Sequence, residues 1–295
     1  MDITALEMYG EDFTSKKYIV DPAIARDQEI KDLILILLTP EKSAILVGKP
    51  GIGKTAIVEG LAYRMHSNSV PDALKNFEIV KINTSSLLGH AEKVEQLVKE
   101  IREKENLILF IDEIHTLIGA SSENPIDLAN MLKPGLDRGS IKMIGATTTE
   151  EYERYLVRDK AFLRRFVKVE VVEPDQIATV KIMMGTLSKL ESKTGVKMKY
   201  TEFVNEQIMK FIVDATSEYK RVYEISSRYP DICLTILQRA FSFAVYDNEA
   251  LVDLKDVYKA IKTAQSIYPD SISKELIKFK EEFKELIEED AIILE

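Results

Sequence analysis

A lysine and a threonine close a glycine-rich octet, Gly48-Lys49-Pro50-Gly51-Ile52-Gly53-Lys54-Thr55. The spacing fits G-x-x-x-x-G-K-[ST], a loop whose glycines let backbone N–H groups turn inward around nucleotide phosphates. Lys54 would reach the β- and γ-phosphates, and the Thr55 hydroxyl would hold Mg2+. A second motif, the acidic pair Asp112-Glu113, follows the apolar run Leu107-Ile108-Leu109-Phe110-Ile111. Such a run reads as a buried parallel strand, whose following residues emerge at the edge where open α/β sheets bind ligands. There Asp112 would hold the magnesium through water, and Glu113 would polarise the attacking water. The bland alternatives are a chance glycine-rich turn and a strand end with two solvated acids; each motif lowers the odds of the other's being accidental.

These residues need elements to place them. Ser43-Ala44-Ile45-Leu46-Val47 before the loop reads as a strand, and the residues from Ala56 to Ala62 after it as a helix. Strand, glycine-rich turn and helix is the arrangement the motif requires, because the helix N-terminus adds its positive dipole end to the phosphate site. Further strands are expected over 78–83, 108–111, 141–146 and 167–171, and helices over 27–38, 54–67, 92–105, 126–137 and 149–157. Alternation of this kind gives a parallel sheet with helices on both faces. Glu173-Pro174-Asp175 breaks it, and 176–192, 203–216, 231–247 and 253–265 all have helical spacing with no convincing strand between. The expected organisation is a nucleotide-binding α/β domain over 1–173, a small all-helical lid domain over 174–268, and an amphipathic C-terminal helix over 269–295.

Composition narrows the class. The 295 residues suffice for two modest domains, and 45% hydrophobic content can build their cores. No apolar run is long enough for a membrane span and no signal peptide opens the sequence, so a cytoplasmic protein is expected. Cys233 is the only cysteine, which rules out an internal disulfide. His66, His90 and His115 are scattered and make no metal-ligand pattern. The net charge of −9 argues against nucleic acid as the main partner, since phosphate backbones need a basic surface. In the last segment Ile272, Leu276, Phe279, Phe283 and Leu286 recur at four- and three-residue steps on a charged helix. Two readings stand: the stripe packs on its own small domain, or it docks a specific protein partner in helix-in-groove fashion.

Taken together, Gly48 to Thr55, Phe110 to His115, Met131-Leu132-Lys133-Pro134, Gly145-Ala146-Thr147-Thr148, Glu151-Tyr152 and Phe162-Leu163-Arg164-Arg165-Phe166 resemble the AAA+ ATPases of the Clp type. The resemblance is to the first ATPase ring of the ClpB and ClpA unfoldases in particular. Asp21 to Asp27 is similar to the family's segment leading into the adenine pocket, and Tyr9 to Thr14 to the stretch before it; the match runs in order from about residue 5 to about residue 245. It implies a P-loop AAA+ fold, ATP and Mg2+ as ligands, and ATP hydrolysis. It implies nucleotide contacts from Ile24, Ala25, Lys49, Pro50, Gly51, Ile52, Gly53, Lys54, Thr55, Ala56, Asp112, Ile182, Pro230 and Asp231. Thr148 matches the polar sensor of the γ-phosphate or attacking water. Arg164 and Arg165 match the arginine fingers, which stabilise charge on a transferring phosphoryl group in the neighbouring subunit; taken alone the pair would read as solvated surface arginines. Fingers imply a homo-oligomer, a hexamer-like ring or an open partial ring.

Departures from the family matter equally. No counterpart of its N-terminal substrate domain, middle domain or second ATPase domain is present, so a stand-alone unit is expected. Where the family has a basic, tyrosine-containing pore loop, Ser85-Ser86-Leu87-Leu88-Gly89-His90 runs straight into Ala91-Glu92-Lys93-Val94, with His90 the only ring. Gly119-Ala120-Ser121-Ser122 is a second candidate pore loop. Pro230-Asp231-Ile232 lacks the family's lysine. An intact hydrolysis kit beside a missing grip points to an ATP-driven ring that remodels or regulates a specific partner rather than threading polypeptide generally. The alternatives are an ATP-switched assembly scaffold with slow turnover and a nucleic-acid-associated ATPase.

Overall fold

Six strands make one sheet: β1 Gly10–Asp12, β2 Ser43–Val47, β3 Glu78–Ile82, β4 Leu107–Ile111, β5 Lys142–Thr147 and β6 Phe166–Glu170, in the order β1-β3-β4-β5-β2-β6. The computed structural model describes residues 4–87, 91–118, 128–223 and 228–294. β3, β4, β5, β2 and β6 are parallel, as the alternating pattern predicts. Every residue of β2 and of β4 is buried, which is why both read as unbroken apolar runs. β1 is an antiparallel edge strand, pairing Gly10 with Ile82 and Asp12 with Val80; three residues are too few for a periodicity to announce them.

Side chains alternate across the sheet. Leu107, Leu109 and Ile111 join Ile45 and Val47 in a core closed by Val94, Leu97, Val98 and Ile101 of α4 (Ala91–Glu103) and Leu128, Leu132 and Leu136 of α5 (Leu128–Asp137). Ile108 and Phe110 turn the other way, where the Phe13 ring lies 5.8 Å from that of Phe110. α1 (Ala5–Tyr9) opens with a capping box on Thr4, and α2 (Asp27–Leu38) packs on α3 (Lys54–His66) and β2. The helix expected over 149–157 is only α6 (Thr149–Glu151), continued by a wider π-type turn over Tyr152–Leu156. α7 (Lys160–Leu163), capped by Asp159, leads into β6.

The chain divides into two compact units: Met1–Lys49 with Gly53–Val172, and Glu173–Glu295 with Pro50–Ile52. The helices of the second unit are α8 (Gln176–Thr194), α9 (Glu202–Ala215), α10 (Asp231–Tyr246), α11 (Leu254–Lys262), α12 (Pro269–Glu282) and α13 (Lys284–Glu289). The Asp175 side chain accepts from Ala178 N at 2.7 Å and caps α8, so the residue that breaks the strand pattern also starts the helix. Contrary to the all-helical expectation, Lys197–Met198 (β7) and Leu251–Val252 (β8) form a short parallel pair. Two residues each are below what alternation can signal.

The C-terminal stripe does not remain available for a partner. Phe279 is fully buried and Phe283 nearly so, with Ile272, Leu276 and Leu286 packed against the same core. The Phe279 ring lies 5.2 Å from Phe211, 5.8 Å from Tyr258 and 4.8 Å from Phe283. This corrects the docking reading: a stripe tells that one face is covered, and here α9 and α11 of the same unit cover it. Phe279→Ala should therefore cost about 3–5 kcal/mol of stability, read as a lowered urea midpoint; an unchanged midpoint would return the stripe to the surface.

A buried carboxyl gives a second test. Asp256, at the third position of α11, is fully buried, accepts from Asp253 N with one oxygen, and leaves Oδ1 without a partner. Burial pushes it up to about 6 from its ordinary 3.8, with Asp253 and Glu249 adding to the rise. A carboxyl raised on folding favours the native state most below its unfolded value, and that advantage is lost as pH climbs through the folded value. Native stability should fall by about 1–2 kcal/mol between pH 5 and pH 7, and Asp256→Asn should abolish that component in urea titrations at the two pH values.

Candidate functional site

The parallel strands bring the sequence motifs to one edge. β4, β5 and β2 are neighbours in that order, so their C-terminal ends place Asp112, Thr147 and Gly48 side by side. Gly48 N donates to Thr147 O at 3.3 Å, joining the loop to the end of β5. The loop turns through Gly51 at φ 75 and Gly53 at φ 97, left-handed conformations that a β-carbon disfavours. Within the second unit a Cβ on Gly51 would lie 2.9 Å from the Asp231 Cβ, so Gly51 is fixed by space as well as by φ. α3 starts at Lys54 with Gly53 as its cap and no side chain bonded to its first N–H groups. Lys54 Nζ donates to Gly48 O and Lys49 O, each at 2.9 Å, which folds the ammonium over the loop. Burial lowers its pKa, opposed by the charges of Asp112 and Glu151.

The Thr55 hydroxyl donates to Asp112 Oδ2 at 3.0 Å. Two hard oxygens in contact at the foot of a phosphate loop suit Mg2+, which binds through one or two protein groups plus water and phosphate oxygens. Among the described residues no group of three or more His, Cys, Asp or Glu is placed to hold a metal ion. Glu113 is exposed and holds φ 53, unusual for a residue with a side chain. The backbone turns sharply there, out of β4 and into a 3-10 turn over Ile114–Ile118.

Residues to which the motif reading assigned no role, Lys81, His115, Thr147, Glu151 and Tyr155, stand around Asp112 and Thr148. Lys81 on β3 reaches Asp112 Oδ2 at 3.4 Å. His115 is buried; its Nδ1 lies 3.1 Å from Thr147 Oγ1 and 3.3 Å from Glu151 Oε2, and its ring stacks on Tyr155 at 5.9 Å. Thr148 donates its hydroxyl to Glu151 Oε2 at 2.7 Å and accepts from Glu151 N at 3.2 Å, a capping box for α6. Burial alone would raise the Glu151 carboxyl. Hydrogen bonds from Thr148, the charge of His115 and the Thr147 hydroxyl hold it below its usual value instead. The signal in the sequence was Thr148-x-x-Glu151, an S/T-x-x-E spacing.

Arg164 and Arg165 sit elsewhere. They stand just before β6, and Ser43 N, at the start of β2, donates to Arg165 O at 2.8 Å. They therefore lie at the opposite edge of the sheet from Gly48, separated by the five residues of β2, roughly 17 Å. Lys49 is exposed, and Ala56 is part-buried in the first turn of α3. Ile24 is part-buried and Ala25 exposed at φ 59, both in the first unit. Pro50 and Ile52 group with the second unit, as do part-buried Ile182, Pro230 as the cap of α10, and Asp231 as its first residue. Leu88 to His90 and Gly119 to Ser122, the two candidate pore loops, lie outside the described residues.

Comparison with known proteins decides the family. The ATPase family associated with various cellular activities (AAA) matches residues 44–173. The chain carries a Clp-type AAA+ ATPase domain. The chaperone protein ClpB of Aquifex aeolicus is 39% identical over 246 residues, 80% of this chain and 24% of that protein. A probable ATP-dependent Clp protease ATP-binding subunit of Chlamydia pneumoniae is 36% identical over 81% of this chain and 28% of its own length. The chain thus spans about a quarter of the length of these curated relatives. The Saccharomyces cerevisiae Hsp104–ADP complex superposes with a TM-score of 0.74 at 33% identity, covering 97% of this chain and 49% of that one. The yeast Hsp104–casein complex in its extended conformation gives 0.73 at 32% identity, covering 88% and 45%. Among the described residues of the AAA+ chain, no helix is long and apolar enough to cross a membrane.

The Thr148 cap can be tested apart from any nucleotide. Thr148→Ala removes it and should lower stability by about 0.5–2 kcal/mol, whereas Thr148→Ser keeps it. A thermal melt in which both variants match the parent would remove the capping role.

Proposed function

We propose that the chain binds MgATP and hydrolyses it as a subunit of a homo-oligomeric ring or partial ring that remodels a protein partner. The observation carrying this reading is the split between the two edges of the sheet. Lys54, Thr55, Asp112 and Thr148 gather at the C-terminal edge, while Arg164 and Arg165 stand about 17 Å away at the other. Neither arginine can serve the Lys54 site of its own sheet, so a catalytic role for either lies at the site of a neighbouring copy.

In this reading the loop N–H groups and Lys54 bind the β- and γ-phosphates, and Thr55 and Asp112 hold the magnesium ion. The ion would neutralise charge on the phosphate oxygens. Glu113 orients the attacking water and takes up its proton; Thr148 contacts the water or the γ-phosphate, and Glu151 fixes the direction of that hydroxyl. Phosphoryl transfer asks for little more than positioning and charge stabilisation, and these groups supply both. The named relatives support polypeptide as the substrate class, since they include ClpB chaperones and an Hsp104 bound to casein. The short Leu88 to Glu92 connection, without a tyrosine, supports a specific partner over general threading.

Two variants separate binding from chemistry. Lys54→Ala should weaken nucleotide binding, read with a fluorescent nucleotide; Glu113→Gln should bind like the parent and release no phosphate. Parent-like turnover in both would show that the catalytic assignment is wrong. Arginine fingers are worth roughly 10³–10⁵ in rate, so Arg164→Ala should slow turnover steeply, and Arg165→Ala should slow it as well. Mixing Arg164→Ala with Lys54→Ala subunits should restore part of it, because some interfaces then receive an intact site and an intact finger. Failure of rescue in verified mixed assemblies counts against action in trans. The Glu113→Gln protein should also retain its partner in a pull-down with ATP, where the Lys54→Ala protein does not.

A further inference from the structure

Arg164 and Arg165 are not equivalent. Arg165 is the more enclosed, 23% exposed, with Nε donating to Asp137 Oδ1 and NH1 to Glu41 Oε2, each at 2.9 Å. Arg164 is 58% exposed and gives one bond, NH2 to Asp137 Oδ2 at 2.8 Å. A single carboxylate thus spans both guanidiniums, one oxygen to each. Hydrogen bonds to a planar guanidinium fix its direction as well as its place.

The scaffold under this pair is also fixed. Lys42 Nζ donates to Arg164 O at 3.0 Å and Ser43 N to Arg165 O at 2.8 Å, so the peptide is held and only side-chain direction remains to be set. Asp137 ends α5, and Glu41 lies in the turn before β2. Those two turns touch: a Cβ on Gly139, at φ +69, would lie 3.1 Å from Glu41 Cγ. Hydrogen bonds from Arg165 first, then Arg164, hold the Asp137 carboxyl below its ordinary value, so it is ionised at neutral pH.

We infer that Asp137 is a positioning residue for the reaction in trans: with Glu41 it makes Arg165 a strut and presents Arg164 to the nucleotide of the neighbouring subunit. This rests on the trans reading proposed above. The clamp orients Arg164 and does not withhold it. An ion pair this exposed to water is a weak contact, whereas a finger worth 10³–10⁵ in rate corresponds to roughly 4–7 kcal/mol at the transition state. The weaker contact cannot keep the guanidinium from the stronger one, but it narrows the directions the side chain samples beforehand.

The test is a double-mutant cycle on steady-state ATP turnover of the assembled protein, with folding checked by thermal melts. Asp137→Asn should lower kcat roughly two- to fivefold, the factor set by losing an exposed pair, with KM unchanged. Asp137→Glu should recover part of the loss. In an Arg164→Ala background Asp137→Asn should have no further effect, because the residue through which it acts is gone. If Asp137→Asn fails to fold, Asp137→Ser takes its place in the cycle. Parent-like kcat in the Asp137 variants, or the same fold-loss with and without Arg164, overturns the inference while leaving the trans reading intact. Parent-like turnover in Arg164→Ala alone sinks the trans reading for that residue, and this inference with it.

Discussion

The parallel pairing of β5 between β4 and β2 is the constraint on which the rest depends. Strands that run the same way end at the same edge, so residues after β4, β5 and β2 must emerge together. Two strand spacings separate β4 from β2, about 9.6 Å. The loop and the first turn of α3 cross that distance and bring Thr55 Oγ1 to 3.0 Å from Asp112 Oδ2. Sequence separation of 57 residues becomes a hydrogen bond through strand order alone. No local propensity could achieve this. It needs the apolar interiors of β2 and β4, both buried throughout, to commit those segments to the middle of the sheet.

Thr147, Thr148, Glu151 and His115 at this edge form one connected network. Glu151 receives hydrogen bonds from the Thr148 hydroxyl and backbone and from Thr147, and lies against His115. His115 follows the Asp112-Glu113 pair by two positions, and Thr147 ends β5. The turn out of β4 is therefore tied to the turn out of β5 by buried polar contacts. That tie gives a reason for Glu113 to hold φ 53: a residue in the left-handed region costs free energy and persists where its surroundings over-determine it. Here Ile114, fully buried, and His115 on one side and the β4 ladder on the other leave the backbone little alternative.

How much of this was legible in the sequence depended on what kind of signal each element leaves. β2, β4 and the glycine-rich loop were readable because burial on both faces and phosphate geometry each demand particular residue types. The helices of the second unit were readable from their periodicity. β1, β7 and β8 were not, because two or three residues have no period. The stripe from Ile272 to Leu286 showed that a face was covered but not by what, and the covering rings, Phe211 and Tyr258, are distant in sequence. Lys81, Glu41 and Asp137 were invisible for a different reason. A charged residue on a strand or in a turn looks the same whether it faces water or an ionic partner, and only the fold supplies Asp112 or Arg165 beside it.

The separation of the two edges also restricts how copies could assemble in the proposed reaction. A contact that joins the arginine edge of one copy to the phosphate-loop edge of the next is head-to-tail. It is heterologous, so it does not close with a two-fold axis, and it produces either a ring or an open helical array. In an open array the terminal copy has a phosphate site with no arginine and the opposite end has an arginine with no site. Closure removes both unfinished ends, so a ring has one complete site per subunit while a partial ring of n copies has n minus one. Turnover per subunit then rises with assembly size and levels off at closure. That dependence on assembly follows from strand direction and the position of Arg164 alone, before any substrate or partner is considered.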